Sequence, residues 1–295
     1  MSIETLIQIL IDSLQYISIL SLVTMGIVLI FKTSFTTNFA QGSISTFGAF
    51  TTTILATNLN IPLVISILIG VASGFVIGVL IDILLFRRAK YVTFVGKQII
   101  TMGLVFVITG LIPIIFGVIP IPAKRFANGT DSFTLFNSTF SITNHAKVSI
   151  IITLLILGLL FVALRFTKWG LGVRATAANE TVAGMMGINT RMISALSWGI
   201  AGGLGAIAAI MYAPLTQINP SLMISDQVNG FLASILGGFG TFFGPIVGVI
   251  IIELASSLFT YINSIWANVF VYLLILIIIL IKPMGLFGKR IAKKV

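Results

Sequence analysis

Between residues 6 and 281 the chain passes through nine apolar stretches, at 6–31, 38–58, 62–86, 97–118, 147–166, 192–213, 226–242, 243–260 and 266–281, parted by short breaks rich in Gly, Pro and charge. About 20 helical residues cross the hydrocarbon core of a bilayer, and in that medium every backbone N–H and C=O must find a partner within the protein. Only helix bundles and closed barrels meet this condition. A barrel would show short alternating segments, and these stretches are continuous. The expected fold is therefore all-α, a polytopic transmembrane helical bundle forming a single domain over 1–295. Charged residues make up 8% of the chain, against about 25% in an ordinary soluble domain, so a soluble fold is excluded.

Residues 237–245, GGFGTFFGP, interrupt any helix that contains them. The region 226–260 then reads either as two short spans or as a broken span with a re-entrant piece, giving eight or nine spans in all. The first stretch is too long for the core of a signal peptide and is expected to be a span.

With the N-terminus outside, fourteen Lys and Arg fall on the inner side: Lys32, Arg87, Arg88, Lys90, Lys97, Arg165, Lys168, Arg174, Arg191 and five in the C-terminal tail. Only Lys124, Arg125 and Lys147 fall outside. The positive-inside rule thus predicts an outer N-terminus and a cytoplasmic C-terminus in the cell membrane. It also accounts for the formal charge of +10 without a nucleic-acid partner. The chain has no cysteine, hence no disulfide, thiol nucleophile or thiolate metal site.

The longest polar run on the inner side is 168–191, KWGLGVRATAANETVAGMMGINTR. Asn179 can cap a short helix, Glu180 then lies in its first turn where a carboxylate is favoured, Gly187 can close it, and Thr190 can cap the next span. Thr181, Ala183 and Gly184 carry little bulk, which would let another protein approach closely. The run is either a docking loop or a plain connector between spans. It resembles the coupling loop of ATP-binding-cassette importers, and GLGVRATAANETVAGMMGINT is similar to the branched-chain amino-acid permease family.

That resemblance extends to NFAQGSISTFGAF at 38–50, where the family commonly has a histidine in place of Gln41, and to an INP at 218–220. It implies a permease subunit importing branched-chain or related small amino acids. The implied partners are a cytoplasmic ATPase docked on Asn179, Glu180, Ala183, Gly184 and Gly187, a second homologous permease subunit, and an extracytoplasmic solute-binding protein. No GxxxxGK[ST] occurs, so the chain is expected to bind no cofactor itself and to be no enzyme, with ATP and Mg held by the partner ATPase.

Two polar, glycine-containing stretches enter the membrane from opposite sides, 38–50 and 226–244, DQVNGFLASILGGFGTFFG. Paired interrupted segments of this kind place transporter sites near the midplane. Asn38, Gln41, Ser43, Ser45, Asn229 and Glu253 are the candidate path residues, interhelical hydrogen bonding being the alternative for the polar groups. An ionisable side chain in mid-span such as Glu253 is costly and so a functional candidate, or else a carboxyl bonded to a neighbouring helix. Asp12, Gln15, Gln98 and Thr101 are weaker candidates.

Small residues recur every fourth position at Gly70, Gly74 and Gly78, at Ala201, Gly205 and Ala209, and at Gly240, Gly244 and Gly248, the pattern that lets membrane helices pack closely. Asp82 continues the first stripe and is expected to pair with Arg87 or Arg88. The outer segment 119–146 reads as polar chain folded over the outer mouth, either a binding-protein contact or a connector, with His145 solvated. The competing function is an ion-coupled secondary transporter of a small polar solute using Glu253 and Asp12. A passive channel ranks third, and no metal site or paired catalytic acids are seen.

Overall fold

The computed structural model describes residues 3–89, 92–117, 119–135 and 138–288. Its helices are α1 (Ile3–Ser34), α2 (Gln41–Thr57), α3 (Leu63–Ile81), α4 (Phe94–Phe116), α5 (Asn144–Phe166), α6 (Lys168–Ala178), α7 (Glu180–Met185), α8 (Thr190–Tyr212), α9 (Ile224–Gly237), α10 (Gly244–Ile262) and α11 (Ala267–Ile281). Each of the nine expected spans corresponds to one of these helices, and six of them are long and apolar enough to cross a membrane by that measure alone. The basic residues Lys90, Lys289, Arg290, Lys293 and Lys294 lie outside the described residues.

Burial separates the helices into two groups. In α1 and α8, 78% of the apolar window is buried against protein, whereas in α4 only 17% is, and in α3, α5 and α10 it is 28%. The first two are the axis of the bundle, and the others turn most of their apolar surface outward. In lipid, association depends on close packing rather than on apolar burial, and the small residues supply it. A side chain added at Gly78 would collide with the carbonyl oxygen of Trp198, and one at Gly202 with that of Gly74. The α3 stripe therefore lies backbone to backbone against α8. Gly48 of α2 abuts Ala206 of α8 in the same way.

The second stripe holds as well: Ala201 and Ala209 are buried and Gly205 lies against Ser45 and Gln41. The third is only partly helical. Gly248 meets the carbonyl of Ala233 and Gly244 that of Gly237, but Gly240 has open space around it and sits in the loop between α9 and α10.

Two contacts place that loop. Lys32, at the end of α1, donates to the Gly240 carbonyl at 2.8 Å. Leu286, beyond α11, donates its N–H to the Leu236 carbonyl at 2.8 Å. The loop, the end of α1 and the end of α11 thus share one end of the bundle; α10 is long enough to cross, whereas α9, at 14 residues, lies beside the second half of α1, with Gly230 against Val23, Thr24 and Ile27.

At the other end, α1 projects past the bundle and meets a two-stranded antiparallel hairpin, β1 (Thr130–Leu135) and β2 (Ser138–Thr143), paired from Thr130↔Thr143 to Leu135↔Ser138. The hairpin was not expected from the polar composition of 119–146. Gln8 holds it edge-on, donating from Nε2 to the Ser141 carbonyl (3.0 Å) and accepting the Ser141 N–H at Oε1 (3.1 Å), while Ser138 bonds Glu4. His145 is not solvated either. It is 1% exposed, accepting the Phe126 N–H at Nδ1 (3.2 Å) and pairing through Nε2 with the Met211 carbonyl (2.9 Å). The neutral tautomer with its proton on Nε2 satisfies both partners.

Candidate functional site

The polar run between α5 and α8 folds as two short helices. Thr167 ends α5 and caps α6, its hydroxyl accepting the Gly170 N–H at 3.1 Å. Gly170 fits directly under the carbonyls of Ala163 and Leu164, so the chain turns a sharp corner at the bundle's end. α7 then stands as a helix of six residues.

Its caps follow from the residue types. The Asn179 side chain accepts the Val182 N–H at 3.1 Å, as expected of an N-cap. At the other end Gly187 has φ +84°, its N–H reaches the Gly184 carbonyl, and the N–H of Ile188 reaches the Ala183 carbonyl at 3.1 Å. This pair of bonds around a left-handed glycine is a Schellman closure. The cap of α8 is Asn189, accepting the Met192 N–H at 3.1 Å. Thr190, the residue expected there, is one position inside the helix.

The exposed surface of α7 differs from the expected one. Ala183 is buried and turns toward the body of the protein. Outward stand Val182, with Met185 81% and Met186 78% exposed. Glu180, Thr181 and Gly184 line a cavity of about 510 Å³ between α7 and the ends of α1, α3, α4 and α8. The apolar tip was legible in the sequence as the GMMG inside an otherwise polar run, because exposed methionines are adaptable contact groups.

Across this cavity runs a directed hydrogen-bond chain. The buried Trp198 donates Nε1–H to Ser34 Oγ (3.1 Å), Ser34 and Ser194 share a bond of 2.9 Å, and Ser194 donates to Asp82 Oδ1 (2.5 Å). Since the Ser194 proton is used on the carboxylate, Ser34 is the donor in the middle bond. Arg87 Nε lies 3.6 Å from Asp82 Oδ2, so the expected ion pair is present. Residues 82–86 form a π-helical turn, a local widening that often marks functional positions.

The polar stretch at 38–50 is wholly internal. Asn38 Oδ1 accepts the Ala40 N–H (3.0 Å) and so breaks the chain before α2, which begins at Gln41. Asn38 Nδ2 donates to Gln41 Oε1 (3.1 Å), and Gln41 Nε2 donates to the Ala201 carbonyl of α8 (2.7 Å). Ser43 pairs with Thr109 of α4 (3.2 Å), and Ser45 bonds back to the Gln41 carbonyl (2.6 Å). Each is buried to within 1%. In this conformation Gln41 ties α2 to α8 and Ser43 ties it to α4, while Asn38 and Ser45 bond locally. Gln98 and Thr101 tie α4 as well, bonding the Thr37 hydroxyl and carbonyl.

The second polar entry meets the first through Gln227, whose Oε1 accepts the Gly42 N–H at 2.6 Å. Asn229 is bonded by the Tyr272 hydroxyl (3.4 Å). Glu253 of α10, Asp226 of α9 and Asp12 of α1 all lie within electrostatic reach of Tyr16. Asp12 is bonded by Gln8 (2.9 Å), and the Nε2 of the buried Gln15 has no partner among the described residues. Among the described residues no group of three metal-ligating side chains occurs.

Residues 9–280 match the family described as "Branched-chain amino acid transport system / permease component". The chain belongs to that family. Among curated proteins it is similar to the high-affinity branched-chain amino acid transport system permease protein LivH of Escherichia coli (strain K12), 29% identical over 161 residues, 54% of this chain and 52% of that protein. The probable LivH of Methanocaldococcus jannaschii is 26% identical over 285 residues, 92% of this chain and 90% of that protein. BraD of Pseudomonas aeruginosa is 26% identical over 147 residues, 49% of this chain and 48% of that protein. The chain thus spans about half the length of the bacterial relatives it matches and most of the archaeal one. No solved structure matches it. Within this permease family the chain is a multi-pass membrane protein built on a helical bundle, with one small hairpin.

Proposed function

We propose that the chain is the membrane-spanning subunit of an ATP-binding-cassette importer, translocating branched-chain or related small amino acids by alternating access. A separate cytoplasmic ATPase, which holds the ATP and Mg, grips α7. A second homologous permease completes the pore, and an extracytoplasmic binding protein delivers solute at the hairpin end. The N-terminus is outside and the α7 end faces the cytoplasm. Family membership and the names of the relatives support the substrate class.

The single observation that carries the mechanism is α7 itself. It is capped at both ends, joined to α8 by a short turn, and tipped with Val182, Met185 and Met186 at an end of the bundle that also carries Arg87, Lys97, Arg165, Arg174 and Arg191. An apolar knob in a charged, aqueous setting needs a partner's groove to cover it, and its rigid tie to α8, the axis of the bundle, gives a push on α7 a path inward. Closure of the ATPases would then tilt α8 and separate the bonds that hold 38–50 shut.

The experiment is uptake of radiolabelled leucine into vesicles containing the full complex, with Met185→Glu in this chain. The expected result is uptake reduced at least tenfold with the protein still inserted and basal ATP hydrolysis retained, since one buried charge at a docking interface costs about 2 kcal/mol or more. Uptake at the wild-type rate, or uptake driven by an ion gradient in ATP-free vesicles, would overturn the reading.

A further inference from the structure

The short helices α2 and α9 meet inside the bundle by their N-terminal ends. A side chain at Gly42, in the first turn of α2, would collide with the carbonyl oxygen of Met223, the residue that precedes α9. A side chain at Gly26 of α1 would meet Gln41 Nε2, and about 9 Å of helix separates Gly26 from Lys32 near the end of α1, so the meeting point lies within the bundle and not at its end. From it α2 runs toward the hairpin end, where Lys124 bonds the Ala56 carbonyl. α9 runs the opposite way, to the loop held by Lys32.

Neither helix is capped there by its own residues. Ala40 and Met223 provide no side-chain cap, and the first-turn N–H groups of a helix have no partner within it. The acceptor for Gly42 comes from the other helix, Gln227 Oε1 taking its N–H at 2.6 Å. Among the described residues no other hydrogen bond joins α2 to α9. Each helix N-terminus carries partial positive charge, so the joint brings like ends together, and one amide oxygen between them opposes their separation. The two helices otherwise pack in different places. α2 is bound to α8, through Gly48 against Ala206 and through Gln41 on the Ala201 carbonyl. α9 shares with α10 and α11 a separate apolar core that includes Ala233, Leu236, Val249, Ile252, Val271 and Ile275.

We infer that this joint is the gate of the permease: α2 moves with α8 and away from α9, and Gln227 is the latch whose bond to Gly42 is broken and remade in each transport cycle. Opening leaves the Gly42 N–H without an acceptor, which an apolar membrane interior does not tolerate. The joint therefore opens only onto water or onto a polar solute in transit, and a dry, half-open state is avoided. The inference rests on the proposed function, in which α7 drives α8. It adds the place where the path closes and a positioning residue, Gln227, outside the candidate path residues.

The test uses the full permease–ATPase complex in vesicles with radiolabelled leucine. The chain has no cysteine, so Phe39→Cys with Phe231→Cys, whose rings lie 5.8 Å apart across the joint, gives a short bifunctional thiol reagent one pair to bridge in it. Bridging is expected to cut uptake by about tenfold or more relative to either single variant treated alike, because a gate held shut stops the cycle, and reductant should restore it. Gln227→Met keeps the length of the side chain and removes the acceptor. It should raise leucine-independent ATP hydrolysis about threefold to tenfold, the shift in population that loss of one interhelical hydrogen bond brings, and Gln227→Glu, which keeps an acceptor, should return it toward the wild-type rate. A merely structural bond would lower the amount of inserted Gln227→Met protein without changing hydrolysis per complex. If that variant fails to insert, the bridge alone decides. Bridged complex that transports as fast as the single variants, or inserted Gln227→Met with hydrolysis no higher than wild type, would each overturn the inference. Wild-type uptake in the same vesicles separates the two proposals, since its absence sinks the importer reading, whereas normal wild-type uptake with an indifferent bridge sinks only the gate.

Discussion

Lys32 Nζ donates to the carbonyl of Gly240 at 2.8 Å and sits 5.0 Å from the ring centre of Phe242, so the end of the first helix holds the loop between α9 and α10. The chain reverses at Gly238, with φ +92°; the Gly238 carbonyl is met by the Thr241 N–H at 3.5 Å, and that of Gly240 by the lysine. One ammonium serves both as hydrogen-bond donor and as a cation over an aromatic face. Replacing Lys32 by Met keeps the apolar stem and removes both. The expected effect in detergent is a loss of about 1–2 kcal/mol of unfolding free energy, read from denaturant titration, with faster proteolysis confined to 238–243. A change spread over the whole chain would count against the local role.

Two glycines of similar sequence setting should respond with opposite sign. Gly78 in α3 has the Trp198 carbonyl where a side chain would go, whereas Gly103 in α4 has open space. Gly78→Ala should therefore push α3 off α8 and cost about 1–3 kcal/mol, while Gly103→Ala should be neutral or stabilise by about 0.5–1 kcal/mol through helix propensity. Thermal unfolding of the two variants in the same micelle compares them directly, and a destabilised Gly103→Ala would show that α4 has a partner this chain does not supply.

These contrasts mark how far the sequence alone could be read. Apolar length located a helix in every expected stretch, since the bilayer constrains length directly, and the caps at Asn179 and Gly187 were legible because their partners lie within five residues. His145 was misjudged because its partner, the Met211 carbonyl, is 66 positions away and is backbone, which no local pattern reveals. The hairpin was missed although TDSFTL and STFSIT alternate polar and apolar residues, because its fixing contact is the Gln8 amide on a distant helix. The Asn38–Gln41 pair was recognised as polar and special. Only the fold shows that Gln41 spends its donor on the Ala201 carbonyl rather than on an open path.

That bond yields a test of what the 38–50 stretch does at rest. Gln41→Ala would remove the interhelical bond to the Ala201 carbonyl, which keeps its bond within α8, and leave the buried Asn38 amide without its partner. The expected cost is about 1–2 kcal/mol, the upper range for interhelical hydrogen bonds in membranes. If the bond also keeps the inner end shut, uncoupled ATP hydrolysis by the complex should rise above wild type. Ser45→Ala, whose hydroxyl only bonds back to its own helix at the Gln41 carbonyl, should alter stability by less than about 0.5 kcal/mol and is the comparison.

Gly187→Leu isolates the closure of α7 from its contacts. The position has φ +84° with nothing within 4 Å of an added Cβ, so the Cβ itself meets no atom and the main effect is backbone strain of about 1–2 kcal/mol. A six-residue helix has little else to hold it, and hydrogen exchange at residues 183–188 should accelerate by roughly the factor of 5–30 that such strain implies. Exchange in α8 should stay slow, because its own cap at Asn189 is intact. In transport assays the same variant should consume more ATP per leucine imported, as a handle that frays transmits less of the stroke. An unchanged coupling ratio alongside accelerated exchange would mean that α7 is held by its partner rather than by Gly187.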